Sequence, residues 1–156
     1  MNIIAIDPGT AESASVEWRE GRLADCAIWP NAQMLERITD GESSEELKDD
    51  LLCIEMVACY GMPVGKEVFE TCLWIGRFMQ AWKAASGKDV RLVYRRDVKM
   101  HHCGSVRAKD SNIRQALVDK YGEPGTKKNP GKTYGLKSHL WAAFAVATFV
   151  AETQPT

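Results

Sequence analysis

The run Asn2-Ile3-Ile4-Ala5-Ile6-Asp7-Pro8-Gly9-Thr10 limits what this chain can fold into more than any other stretch. Ile3 to Ile6 is a near-continuous apolar run closed by Pro-Gly, the pattern of a central strand buried on both faces. Pro8 cannot extend a ladder and Gly9 frees the backbone to turn, so Asp7 falls at the carboxyl edge of a buried strand, where open α/β sheets build their sites. Asp7 either simply opens a turn or anchors chemistry. Leu51-Leu52-Cys53-Ile54-Glu55-Met56 repeats the design with Glu55 near its end. A carboxylate isolated in an apolar strand needs a cation beside it. Two such strand ends suggest a shared divalent ion, while a Lys or Arg partner for Glu55 is the simpler alternative.

The 156 residues, 45% of them hydrophobic, are enough for one domain and too few for two. The reading is a single α/β domain over 1–156. No stretch nears the roughly 20 apolar residues of a membrane span, and no basic flank or cleavage site marks a leader, so the expected location is cytoplasmic with no membrane partner. Cys26, Cys53, Cys59, Cys72 and Cys103 are odd in number and lack a C-x-x-C pair, which reads as reduced thiols. His101, His102 and Cys103 diverge on a helix and have no second ligand pair, so no zinc site is expected there.

Charge is segregated. Residues 1–87 carry 7 Lys/Arg against 15 Asp/Glu, whereas residues 88–137 carry 13 against 5. A basic half on an otherwise acidic chain suggests a face for a polyanion. It is otherwise a solvated basic surface.

In order, the pattern predicts strands at Ser13–Trp18 and Leu23–Trp29, joined by a turn at 19–22, so that three antiparallel strands open the fold. Asn31 is expected to cap a short helix through about Thr39, followed by an acidic surface connection from Asp40 to Asp50. The loop Val57–Gly65 offers Tyr60 and Met62 as an exposed apolar tip. A long helix follows at Lys66–Ser86, with Val68, Cys72, Ile75, Met79 and Trp82 as one stripe and a second apolar face suited to a homodimer. After a strand at Val90–Tyr94, Asp97 can cap a helical turn. Asp110 or Ser111 caps a helix to Tyr121, although Asp110 is equally placed to act as a catalytic acid. Gly122–Gly135 reads as a flexible basic loop with nothing to bury, and a last helix spans about Ser138–Glu152 with Ser138 as cap.

The Ile-Asp-Pro-Gly strand end, the Ile-Glu strand end before a long helix, Arg-x-Val-Lys before Gly-x-x-x-Ala-Lys-Asp, and a last helix opening Ser-His-x-Trp-x-Ala-x-Ala-Val-Ala together resemble the RuvC-type Holliday junction resolvases, most closely the phage and prophage branch. The resemblance implies a ribonuclease-H-like fold, three antiparallel strands then parallel ones flanked by helices, usually a homodimer. It implies that Asp7 and Glu55 are metal-binding carboxylates for Mg2+, with Mn2+ substituting, and that His139 ligates metal or shuttles a proton. Asp110 is the candidate to complete the catalytic and metal set. Lys99 and Lys109 fall where backbone-binding lysines belong, with Arg95, Arg96, Arg107, Arg114, Lys127, Lys128 and Lys132 as extensions. Tyr60 or Met62 is the candidate wedge against unstacked bases, although the aligned position is Ala58.

The chain departs from the family at Ala142, where many members carry a second acid one turn after position 139. Either this branch does without it, Asp110 replaces it, or the substitution inactivates. The resulting expectation is a Mg2+-dependent endonuclease acting on four-way DNA junctions in a bacterial cell. The rivals are a non-catalytic junction binder and a same-fold nuclease acting on RNA or RNA–DNA hybrid. An actin-like ATPase, suggested by Asp7-x-Gly9-Thr10, needs two duplicated lobes.

Overall fold

The computed structural model describes residues 1–40 and 46–154. Strands β1 (Asn2–Asp7), β2 (Glu12–Arg19) and β3 (Arg22–Pro30) are followed by α1 (Asn31–Thr39), a short 3-10 turn (Glu46–Asp49), β4 (Asp50–Met56), α2 (Lys66–Ser86) and β5 (Arg91–Tyr94). Three helices close the chain: α3 (Arg95–Cys103), α4 (Asp110–Tyr121) and α5 (Leu140–Thr153). The five strands lie in the order β3-β2-β1-β4-β5. β2 pairs antiparallel with β1 and β3, whereas β4 pairs parallel with β1 and β5, giving the expected mixed sheet.

β1 and β4 are apolar on both sides because helices cover both faces. Ile3, Ala5 and Cys53 pack with Val16, Trp18 and Phe144 under α3, α4 and α5. Ile6, Leu52 and Ile54 pack on the other face with Met34, Ile75, Phe78 and Trp82 of α1 and α2. α5 is buried on nearly every side, not only along Leu140, Phe144, Ala147 and Val150, because it lies between the sheet and two other helices. Phe144 carries the aromatic centre of that layer, with ring centroids 5.7 Å from Trp18 and 5.3 Å from Tyr121.

Several local expectations are corrected. Asn31 does not cap α1: its side chain is buried and turns back toward the loop after β1, leaving Pro30 at the cap position. α3 already begins at Arg95, so Asp97 lies inside its first turn. Lys109, not Asp110 or Ser111, holds the cap position of α4, where its backbone N–H donates to Asn112 Oδ1 at 2.8 Å. Ser138 does not cap α5, for it sits in a turn with φ of 47° and the helix starts at Leu140.

On α2 the buried side is Thr71, Ile75, Phe78, Ala81 and Trp82, a stripe rotated from the expected one. The 122–135 segment is closed by hydrogen bonds from Gly131 N–H to Pro124 O at 2.8 Å and from Thr126 N–H to Asn129 O at 3.0 Å. It does bury something: Thr133 is enclosed and its hydroxyl donates to Gly122 O at 2.9 Å. Of the acidic connection, positions 41–45 lie outside the described residues; Leu47 and Asp50 at its end are buried. All five cysteines are free thiols, and burial pushes Cys53 up to about 12. Among the described residues no helix is long and apolar enough to cross a membrane.

Candidate active site

The parallel register of β1 and β4 builds the site. Ala5 stands opposite Cys53 and Ile6 opposite Ile54, so the next step brings Asp7 level with Glu55 on the same face of the sheet. Both sit where the strands run out, on the face covered by α5. Only 16% of the Asp7 side chain and 11% of the Glu55 side chain are exposed. Burial pushes both carboxyls above their ordinary range. Asp7 raises Glu55 further, while His139 and Arg95 act in the opposite direction on Asp7.

His139 reaches the pair from the residue that opens α5, with Nδ1 3.0 Å from Asp7 Oδ2. In the tautomer that satisfies this contact, Nδ1–H donates to Asp7 and Nε2 presents a free lone pair on a ring that is 75% exposed. From β4 the register continues to β5, where Val93 is level with Glu55, and two residues on Arg95 enters the same cleft. Its Nη1 donates to Glu55 Oε1 at 3.0 Å and its Nη2 donates to Asp110 Oδ1. Burial works against the charge on Arg95, but the Glu55 and Asp110 carboxylates outweigh it and hold the guanidinium firmly protonated.

These side chains line a cleft of about 360 Å³ together with Arg114, Trp141 and Ala142. A second hollow of about 230 Å³ shares Asp7, Glu55 and Arg95 and opens toward Pro8, Ala58 and Tyr60. The acids thus lie where two hollows meet, an arrangement suited to an extended ligand. A larger cavity of about 520 Å³ lies on the other face of the sheet, under α1 and α2, and contains neither strand-end acid. Convergent chemistry, not volume, selects the smaller cleft.

The other candidate residues divide. Asp7, Glu55, His139 and Asp110 all line the cleft. Of the nucleic-acid candidates, Arg95 and Arg114 join them, with the Arg114 guanidinium 5.1 Å over the Trp141 ring. Arg96, Arg107 and Lys109 are exposed on or beside α3 and α4, Lys99 is half-buried, and Lys127, Lys128 and Lys132 are exposed on the 122–135 turn. Tyr60 is exposed beside the second hollow. His101 instead meets Glu152 at 2.8 Å.

One positioning element has no signature in the sequence. Asn31 Nδ2 donates to Gly9 O at 2.8 Å and Asn31 Oδ1 accepts from Ser13 Oγ at 2.6 Å, while Gly9 N–H donates to Ser13 Oγ at 3.3 Å. This buried clamp fixes the turn that releases Asp7. Gly9 itself is required, because a Cβ there would lie 2.4 Å from Glu12 O. Nothing in the local pattern marks Asn31, whose partners are 18 and 22 residues away.

Among the described residues no group of three or more His, Cys, Asp or Glu is drawn together as a metal cluster, and Arg95 stands between Glu55 and Asp110. The donor set nonetheless suits a hard cation. Two carboxyls are pushed up by burial, and the carboxylate oxygens of Asp7, Glu55 and Asp110 outnumber the Arg95 and Arg114 guanidinium groups.

No family model matches the chain, and neither does any curated relative. Solved structures do. A Thermus thermophilus RuvC structure is similar over 97% of this chain and 96% of that one, at 21% identity with a TM-score of 0.64. T. thermophilus RuvC in complex with Holliday junction substrate is similar over 97% of this chain and 93% of that one, at 19% identity with a TM-score of 0.68. The likeness extends from end to end and establishes the architecture: this chain has the ribonuclease-H-like fold seen in RuvC.

Proposed function

We propose that this chain is a structure-selective endonuclease that cuts four-way DNA junctions by divalent-metal-dependent hydrolysis, acting as a homodimer in the bacterial cytoplasm. One observation carries the reading: the β1/β4 register brings Asp7 and Glu55 together at the sheet edge, facing His139, in a fold shared with a protein solved on a Holliday junction substrate.

Asp7 and Glu55 would hold the ion, Mg2+ or Mn2+, which when bound supplies water activation and charge stabilisation at the leaving oxygen. His139 Nε2 is the group free to accept the proton of the attacking water, and the Nδ1 contact to Asp7 orients its ring. Arg114 and the exposed cations of α3, α4 and the 122–135 turn supply the phosphate contacts that fix register without reading bases. Tyr60 beside the second hollow is the stacking surface for an unpaired base. Phe69 and Leu73, 63% and 68% exposed on α2, are the apolar surface a two-fold partner would cover.

A second reading is favoured by Ala142, which puts a methyl in the cleft one turn after His139. There the chain binds junctions without cutting them. Junction binding and nicking measured together in Mg2+ and Mn2+, with duplex DNA and RNA–DNA hybrid as competitors, separate the readings. Nicking of junctions alone supports the nuclease; tight binding without nicking, restored by Ala142→Asp, supports the binder; preference for the hybrid overturns both.

A further inference from the structure

Arg114 is the cation of the cleft that no carboxylate holds. Among the described residues it makes no ion pair, and its guanidinium lies 5.1 Å over the centroid of the Trp141 ring instead. Contact with a ring face spends none of the five N–H donors of the fork on a carboxylate. Arg114 stands one turn after Asp110 on α4, so the two share the face that lines the cleft with Asp7, Glu55 and His139.

Trp141 is fixed from the core side. It comes two residues after His139, in the first turn of α5, and is only 7% exposed. Phe144 packs against it with ring centroids 6.2 Å apart and the planes nearly perpendicular. The indole Nε1–H is buried and meets no acceptor among the described residues. A buried donor without an acceptor is a cost, so the N–H is not what keeps a tryptophan at this position. The aromatic face is the part of the side chain in use, and Arg114 is what lies over it.

We propose that Arg114, seated on Trp141, is the clamp on the phosphate that is cut, with Trp141 as the residue that positions it. The inference rests on the nuclease reading and separates Arg114 from the exposed lysines, which meet phosphates away from the cut. A phosphodiester brings more negative charge to a cleft already lined by Asp7, Glu55 and Asp110. A guanidinium with an unspent fork on the cleft wall grips two of its oxygens through parallel N–H···O bonds. Holding the phosphate in line with the attacking water is a matter of orientation, so losing the clamp falls on the rate more than on the affinity. Trp141 limits where the guanidinium can swing before DNA arrives.

The test measures single-turnover nicking of a four-way DNA junction in Mg2+, and junction affinity without divalent ion, on full chains shown by circular dichroism to be folded. Arg114→Ala should slow nicking roughly a hundredfold while affinity changes by less than about fivefold, since many other cations hold the arms. Trp141→Leu should slow nicking by about two- to thirtyfold, the range of a cation–π contact, and by nothing further in the Arg114→Ala background. An indole that only fills space would cost the same factor in both backgrounds. Unchanged nicking in Arg114→Ala, or rate and affinity falling by the same factor, overturns the clamp. Equal factors for Trp141→Leu in the two backgrounds overturn the positioning role; should that variant fail to fold, Trp141→Met takes its place under the same criterion. A wild type that binds junctions but never nicks them refutes the nuclease reading and this inference with it, whereas wild-type nicking that Arg114→Ala leaves intact refutes this inference alone.

Discussion

His139 Nδ1 meets Asp7 Oδ2 at 3.0 Å, joining the last residue of the first strand to the residue that opens the last helix. The contact spans 132 residues of sequence, and it makes the site depend on the packing of α5 across β1. Phe144 anchors that packing. Phe144→Ala is expected to cost about 3–5 kcal/mol, the usual range for a buried aromatic. Chemical denaturation should show the loss, and junction nicking should fall in step because His139 rides on the same helix.

On the nuclease reading, Asp7 trades stability for function. Its carboxylate is disfavoured by burial, so Asp7→Asn should raise the melting temperature of the metal-free protein, by about 2–4 °C for each kcal/mol relieved in a chain of this size. The same variant should lose Mn2+ binding and all nicking. Differential scanning fluorimetry with and without Mn2+ reads both effects.

The pH dependence has a definite sign. Asp7 and Glu55 are raised above their unfolded values, so the folded chain binds more protons than the unfolded chain between the two. Without metal, stability therefore falls as pH rises from the ordinary carboxylate range through the raised values. Mn2+ affinity should rise over the same window, since the ion needs both acids ionised. Glu152 works lower down: burial opposes its charge, but Lys120, Tyr121 and His101 hold it at about 2, and its stabilisation is lost as pH falls from the ordinary glutamate value toward that figure. Thermal melts across acid and neutral pH, compared with Asp7→Asn, isolate the part due to the site.

Asn31→Ala removes the clamp on the turn after Asp7. Leaving Ser13 and Gly9 O short of a buried partner should cost about 1–3 kcal/mol. Because Asn31 is buried away from the cleft lining, junction affinity should hold while kcat drops. Single-turnover nicking beside equilibrium binding distinguishes the two.

The 122–135 turn presents Lys127, Lys128 and Lys132 to solvent on a hydrogen-bonded backbone. Replacing all three with alanine should weaken junction binding and flatten its logarithmic salt dependence by about 0.9 for each phosphate no longer neutralised. An unchanged slope would remove this turn from the DNA-binding face.

The sequence carried the architecture because the architecture is written in local patterns. Two apolar strands, each ending on an acid, led to a buried parallel pair, and the Gly87 stop after a long amphipathic run bounded α2 closely. Helix starts were less legible. Asn31, Asp110 and Ser138 all have the chemistry of caps, and each is in a non-capping position because tertiary partners or backbone geometry win: Gly9 and Ser13 for Asn31, Arg95 for Asp110, a positive φ for Ser138. That Glu55 meets an arginine or lysine was legible, and the structure supplies one; that the partner is Arg95 and that it also holds Asp110 was not, since those contacts span 40 and 15 residues and come from the sheet register. The shape of the 122–135 turn was hidden for a similar reason: its composition is that of a loose loop, and the backbone hydrogen bonds that close it are not encoded in composition.

Nicking of a labelled, mobile four-way DNA junction in Mg2+, with linear duplex in excess and Asp7→Asn alongside, tests the central claim most directly. The account predicts paired nicks at symmetric positions across the junction, undiminished by duplex and absent in Asp7→Asn. Cutting that duplex competes away, or that survives in Asp7→Asn, would contradict it.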